Sequence, residues 1–261
     1  MRISLLLALL SLLSLQPTLS RFDPYAANGG LTCGIAGKDY VVLMTTKELL
    51  LDSNTVTNNH DESRLTSLSP TASLLSAGCN ADCVGLVSDL KAILYKDFSY
   101  PSSSPPPTPS QISTLLSHLL YSRRSFPFYV QVILGGICPT TGSGQLWGYD
   151  SIGSCELGGV FCSGGAASGM LQSILDARFA SKASSLGVSR LRPLDQHKVG
   201  NSLSPPVHTT IAVEDPEESI DMCLSAFREV CGRHKLGGIG KKIKIVVHRK
   251  DSEATTRELV L

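Results

Sequence analysis

Charge is scarce in this sequence and shows no bias of sign: 17% of the 261 residues are Asp, Glu, Lys or Arg, and 23 basic residues balance 22 acidic ones for a net charge of +1. A chain without a field of one sign gives no electrostatic case for binding nucleic acid or an anionic membrane surface. Aromatic residues are also few, at 6%, with one tryptophan, yet 42% of the chain is apolar. That is enough to bury a full core and excludes wholesale disorder. No Asn-x-Ser/Thr acceptor occurs, which removes one mark of a secreted glycoprotein. The length allows one or two domains, and a single β-rich domain of about 250 residues is ordinary.

The familiar catalytic signatures are missing too. There is no Gly-x-Ser-x-Gly elbow, no His-Glu-x-x-His helix and no Gly-x-x-x-x-Gly-Lys-Ser/Thr phosphate loop. The stretch Leu236-Gly237-Gly238-Ile239-Gly240-Lys241 lacks that loop's spacing and reads as a turn. His60, His118, His197, His208, His234 and His248 are scattered with no neighbour suggesting a shared site. Arg123-Arg124 reads as a structural ion-pair donor, and the alternating charges of residues 241–251 as one face of a half-solvated strand. Of eight cysteines, Cys33, Cys138, Cys155, Cys162, Cys223 and Cys231 sit in apolar or glycine-rich segments, where the thiol acts as a small hydrophobe. Cys79-x-x-x-Cys83 is the one close pair, without a second pair at zinc-site spacing. We expect no metal and no cofactor.

What is present begins with residues 1–20. A basic second residue, an apolar run from Ile3 to Leu15 broken only by serines, and small residues before Arg21 form the pattern of a secretory signal. The run is short of the roughly 20 residues that span a bilayer. An apolar pro-segment or a misassigned start are the other readings of this leader, and the cysteine spacing of the body does not favour export.

The body, residues 21–261, alternates element types in blocks. Residues 31–36 and 40–45 predict a hairpin around Gly37-Lys38-Asp39, and residues 65–76 a weaker strand pair broken at Ser69-Pro70. Asn80 is placed to cap a helix with Val84, Val87, Leu90, Ile93 and Leu94 on one face. A proline- and serine-rich loop at 99–108 leads to Thr108-Pro109-Ser110-Gln111, a cap, a proline at the first helical position and an acceptor at the third. Ile112, Leu115, Leu116, Leu119 and Leu120 follow as one stripe. Residues 126–134 predict a strand that stops at Gly135-Gly136, and residues 145–149 and 157–163 two more. A third helix over 167–181 turns Met170, Leu171, Ile174 and Leu175 inward. A second inserted loop covers 184–210. A fourth helix opens at Asp215-Pro216-Glu217-Glu218 and buries Ile220, Cys223, Leu224, Phe227 and Val230, before strands at 241–248 and 257–261. Helices grouped in pairs against mostly antiparallel strands indicate an α+β fold. Two stacked sheets with a helical layer on each outer face bury all four stripes, which is a four-layer α-β-β-α sandwich.

Three blocks carry a resemblance. Arg21-Phe22-Asp23-Pro24-Tyr25 with Asn28-Gly29-Gly30, then Tyr121-Ser122-Arg123-Arg124-Ser125-Phe126-Pro127-Phe128-Tyr129 with Gly135-Gly136, then Gly164 to Gln172 with Leu175-Asp176, resemble a non-catalytic type of beta subunit of the eukaryotic 20S proteasome. The resemblance runs over residues 21–261 apart from the two loops, and it implies the N-terminal nucleophile hydrolase fold, which is the sandwich above. In active members of that family a threonine becomes the first residue by self-cleavage. Its hydroxyl attacks the peptide carbonyl, and its own α-amino group, intrinsically near pKa 8, is the base.

Carried over position by position, each supporting group of that mechanism is absent. Gly30 stands at the nucleophile and Leu31 follows it; Thr46 takes the first aspartate position and Arg64 the lysine position. Ala166 replaces a supporting serine, and His234 and Gly237 fall at a second aspartate and its serine partner. Thr46 and Glu48 depart even from the non-catalytic type. The resemblance therefore implies no catalytic residue and a structural subunit of the beta ring. Its partners would be other beta subunits of the same and the opposite ring and subunits of the alpha ring, with neither nucleic acid nor membrane. The family location, cytoplasm and nucleus, conflicts with a secretory reading of the leader, which the resemblance rereads as a pro-segment trimmed before Arg21. Two alternatives stand beside it: an active hydrolase using Thr32 or Cys33, and a secreted binding module built on the same sandwich.

Overall fold

The computed structural model describes residues 28–51, 54–57, 64–102, 105–157, 161–185, 215–233, 242–250 and 252–260. The leader, the block at 21–25, nearly all of the loop at 184–210 and residues 234–241 lie outside the described residues.

Strands β1 (Leu31–Ala36) and β2 (Tyr40–Thr46) form the expected hairpin. β5 (Leu65–Ser69) and β6 (Ala72–Gly78) form the second pair, joined by a turn at Pro70-Thr71 and with its register shift one step earlier, between Ser67 and Ser69. Between them lies a hairpin the sequence patterns did not signal, β3 (Glu48–Leu51) with β4 (Asn54–Thr57). Then come α1 (Asn80–Phe98), α2 (Pro109–Ser122), β7 (Val130–Ile137), β8 (Gly144–Tyr149), β9 (Cys155–Leu157) and β10 (Phe161–Gly165). α3 (Ser168–Ser185), α4 (Pro216–Arg233), β11 (Lys242–Arg249) and β12 (Thr255–Val260) complete the described elements.

One five-stranded sheet has the order β10-β1-β2-β11-β12 and the other β5-β6-β7-β8-β9, with antiparallel neighbours throughout. Because successive strand residues face opposite sides, each central strand feeds two apolar layers. Tyr40, Val42 and Met44 of β2 face α3 and α4, where Leu171, Leu175, Phe179, Cys223 and Phe227 meet them. Val41 and Leu43 point the other way and pack between the sheets with Leu75, Ile133, Leu146 and Val246. Val130, Val132 and Leu134 of β7 cover the second sheet's outer face beneath Leu86, Leu90, Ile112, Leu116 and Leu120 of α1 and α2. Three apolar layers separate four structural ones, so the α+β four-layer sandwich is the fold.

The structure corrects five local readings, the first on α1, where Val84 is exposed and Cys83 and Leu86 take inward places beside Val87 and Leu90. Gly135 and Gly136 do not end a strand; they lie inside β7, which pairs with β6 and β8 through both. A Cβ on Gly135 would come within 2.8 Å of Val41 Cγ1, and one on Gly136 within 2.6 Å of the Thr71 carbonyl. The glycines admit close approach, which is why they sit mid-strand. Residues 157–163 are not one strand: β9 belongs to one sheet and β10 to the other. Met170 is exposed, and Phe179 takes the inward place one turn beyond Leu175. Asn80 is the first residue of α1, and its preceding residue Cys79 offers no side-chain cap.

The capping box of α2 forms as expected. Thr108 Oγ1 accepts from the Gln111 amide, and Gln111 Oε1 accepts from the Thr108 amide at 2.8 Å. Thr108→Ala is expected to cost about 1 kcal/mol, read as a lower urea midpoint with an unchanged m value. A midpoint equal to that of the parent chain would remove the cap from the account of α2.

Candidate functional site

Gly30, Thr46, Arg64 and Ala166, four of the positions that the resemblance assigns to the mechanism, converge at the start of β1. Asn28, Gly29 and Gly30 are buried there, and both glycines adopt positive φ, 66° and 89°. This backbone is held from four sides. The Asn28 amide donates to the Gly78 carbonyl at 3.0 Å, and the Ala166 amide donates to the Gly30 carbonyl at 2.9 Å. The Leu31 amide donates to Thr46 Oγ1 at 3.0 Å. Arg64 Nη2 donates to the Asn28 carbonyl at 2.6 Å.

Asn28 does a second job that sequence reasoning missed. Its Oδ1 accepts from the Asn80 amide at 2.7 Å, so the first exposed amide of α1 is satisfied by a residue 52 positions upstream rather than by a local cap. A cap from so far away leaves no local pattern to read. Asp82 adds the usual first-turn carboxylate and accepts from the Tyr129 amide at 2.8 Å.

Arg64 is the dominant side chain of the site. It is 5% exposed, and its Nη1 has no hydrogen-bond partner among the described residues. A Cβ built on Gly30 would fall 1.2 Å from that Nη1. The guanidinium thus occupies the volume that any side chain at position 30 would need. Burial pushes Arg64 down to about 10, with Cys83 opposing the shift, so it keeps its proton at neutral pH. Thr46, fully buried, contributes a hydroxyl already engaged with the Leu31 amide where the mechanism needs a carboxylate. Ala166 supplies only backbone. Gly30, Leu31, Thr46, Arg64 and Ala166 are therefore brought together; His234 and Gly237 lie outside the described residues.

The alternative nucleophiles are buried. Thr32 is 1% exposed, and its hydroxyl donates to the Gly164 carbonyl at 3.1 Å. Cys33 faces the helical layer among Met44, Phe179 and Phe227 with no exposed surface. The thiol is pushed well up, first by its contact with Cys223 and then by burial. Neither side chain lines the open cleft of about 750 Å³ that starts beside Gly29 and runs past Gly78, Tyr129, Gln131 and Gly165. Gln131 Oε1 accepts from the Gly165 amide at 2.8 Å and fixes that wall.

Elsewhere, Arg123 pairs with Asp89 at 2.8 Å and lies over the Phe128 ring, the structural donor its sequence context suggested. His118 is exposed on α2, whereas His248 is buried against Ser73. Cys83 is buried in the α1 layer and Cys79 half-buried, and no group of metal ligands forms among the described residues. No helix among them is long and apolar enough to cross a membrane.

With this geometry in place, the relatives can be named. Residues 26–189 match the family model described as "Proteasome subunit". The chain is 36% identical to proteasome subunit beta type-1 of Drosophila melanogaster over 162 residues, covering 62% of this chain and 66% of that one. It is 32% identical to proteasome subunit beta type-1 of Danio rerio over 166 residues, 64% of this chain and 68% of that one. Similarity to the Oryza sativa beta type-1 subunit extends over 238 residues at 29% identity, 90% of this chain and 94% of the relative. The alignments with the fly and fish proteins span about two thirds of their length, and that with the rice protein nearly all of it.

Proposed function

Because this chain belongs to the proteasome subunit family as a beta-type member, we propose that it is a non-catalytic, structural subunit of the 20S beta ring. It fills one position in each of the two stacked beta rings, touches beta subunits of its own and the opposite ring and subunits of the alpha ring, and helps wall the proteolytic chamber. Its work in proteolysis is geometric: it positions neighbours whose threonines cut. Cytoplasm and nucleus are the places where such a particle acts, and the leader is then a pro-segment.

One observation carries this reading. A glycine has no nucleophilic atom, and the Arg64 guanidinium stands where such an atom would have to be. The same group would need to lose a proton to replace a lysine, which a guanidinium does not do near neutrality. Thr46 and Ala166 cannot supply the missing carboxylate and hydroxyl at their positions. Thr32 and Cys33 are buried and neither lines the cleft, which speaks against a displaced nucleophile.

The test is native isolation of the tagged endogenous chain, followed by particle mass, identification of co-purifying chains and treatment with an electrophilic peptide that acylates N-terminal threonines. The reading expects a large particle containing other alpha and beta subunits, with label on neighbours and none on this chain. Recovery as a lone secreted chain would overturn the assembly, and label on Thr32 or Cys33 would overturn the inactivity.

A further inference from the structure

Cys33 and Cys223 meet in the apolar layer between the first sheet and its helices. Their sulfurs lie 3.3 Å apart, joining β1 to α4 across 190 residues of chain. Both side chains are fully buried within the apolar cluster that includes Leu31, Met44, Phe227 and Ile245. A disulfide sets its sulfurs about 2 Å apart, so bond formation asks for an approach of roughly 1 Å between groups that already face each other. We propose that Cys33 and Cys223 are a latent disulfide site, a covalent staple between the first described strand and the last described helix, closed by a low-molecular-weight disulfide such as oxidised glutathione.

The chemistry balances in two exchanges. One cysteine, as thiolate, attacks a sulfur of the glutathione disulfide; that S–S bond breaks, a mixed disulfide forms and one glutathione leaves as thiolate. The second cysteine then attacks the protein sulfur of the mixed disulfide and expels the second glutathione. Two electrons reduce the glutathione disulfide to two glutathione thiols, and the two cysteine protons end on them. In the closed fold the reaction is held back, because attack requires a thiolate and solvent access. The thiol–thiol contact and burial both keep Cys33 protonated. The site is therefore silent while α4 stays seated and reactive when it lifts. A chain that folds among reducing thiols keeps the pair open, and one that folds in an oxidising compartment closes it, so the pair also reports the environment in which the chain folded. The proposal does not depend on the absence of catalysis or on ring assembly.

The folded full chain is incubated with oxidised glutathione across urea concentrations that preserve its helical circular dichroism. It is then denatured with an alkylating agent and digested without reduction. The expected product is a peptide pair linking Cys33 to Cys223, lighter by two hydrogen atoms than the two thiol peptides together, accumulating faster as urea rises. Its urea midpoint exceeds that of the reduced chain, since a cross-link closing a long loop restricts the unfolded state. In Cys223→Ala the link is lost and Cys33 is recovered alkylated or as a mixed glutathione disulfide. Recovery of Cys33 and Cys223 in the parent chain as alkylated thiols at every urea concentration, or bonded to other cysteines, overturns the proposal. Because that reading comes from the unmutated chain, it holds even if Cys223→Ala does not fold.

Discussion

Gly30→Thr, the substitution that puts a nucleophile back in its family position, is expected to destabilise the chain by about 3 kcal/mol or more and to yield no peptidase activity. Two effects add. Position 30 has φ of 89°, a conformation that costs a residue with a Cβ about 1–3 kcal/mol and a β-branched one the upper part of that range. The new side chain also collides with Arg64 Nη1. Moving the guanidinium breaks its bond to the Asn28 carbonyl and leaves buried polar groups unpaired, at about 1–3 kcal/mol. The measurement is equilibrium urea denaturation of the parent, Gly30→Thr, Arg64→Ala and the double variant. Since the second effect exists only while Arg64 is present, the double variant should be more stable than the sum of the single losses predicts, by about 1–3 kcal/mol. Strict additivity would mean that Arg64 does not fill the site. Hydrolysis of a fluorogenic peptide by Gly30→Thr would show that Thr46 and Arg64 are no obstacle to catalysis.

Acid is expected to weaken the fold through one histidine. His248 on β11 is 1% exposed, with Nε2 2.9 Å from Ser73 Oγ. Burial lowers it from 6.5 to about 4, and the Pro70 carbonyl that accepts from the ring offsets only part of that. The folded value lies below the unfolded one, so between them the unfolded chain binds the proton that the folded chain refuses. Stability from this group is complete above about 6.5, falls as pH drops toward about 4, and changes no further below that. The full difference is about 3 kcal/mol. Urea midpoints across that interval should fall for the parent and stay nearly level for His248→Gln, whose amide keeps a polar contact but does not titrate. A parent chain whose midpoint holds steady between those two values would place a charged imidazole in the fold.

Much of this architecture can be read from local chemistry. The Gly37 turn lies between a short apolar strand and a β-branched-rich return strand. Thr108-Pro109-Ser110-Gln111 specifies a helix start by itself, and Asp215-Pro216 does the same for α4, where the Asp215 carboxylate accepts from the Glu217 amide at 3.0 Å. The errors fall where distant contacts override local meaning. Gly135-Gly136 looks like a stop because glycine usually marks one, but here it clears space for Val41 and the Thr71 carbonyl. Residues 157–163 do carry a local break signal in Gly158-Gly159, but nothing local states that β9 and β10 belong to different sheets. At the site, the lost groups are visible as residue identities once the family is recognised. The guanidinium over Gly30 and the remote cap from Asn28 are contacts across 34 to 52 positions, which only the folded chain brings together.

β12 has a consequence for the chain when it stands alone. It is the outermost strand of its sheet, exposed at all six residues, and no described strand lies along its free side. Such a margin invites a foreign strand to add to it. What defends it is ionic rather than steric: Lys47 grips Glu258 at 2.7 Å and Glu217 holds Arg257 at 2.8 Å. An incoming strand must therefore bring matching charge or disturb two ion pairs. Salt screens exposed pairs of this kind, so the unaccompanied chain is expected to be more prone to self-association in concentrated salt than in dilute buffer, a practical guide to how it should be stored.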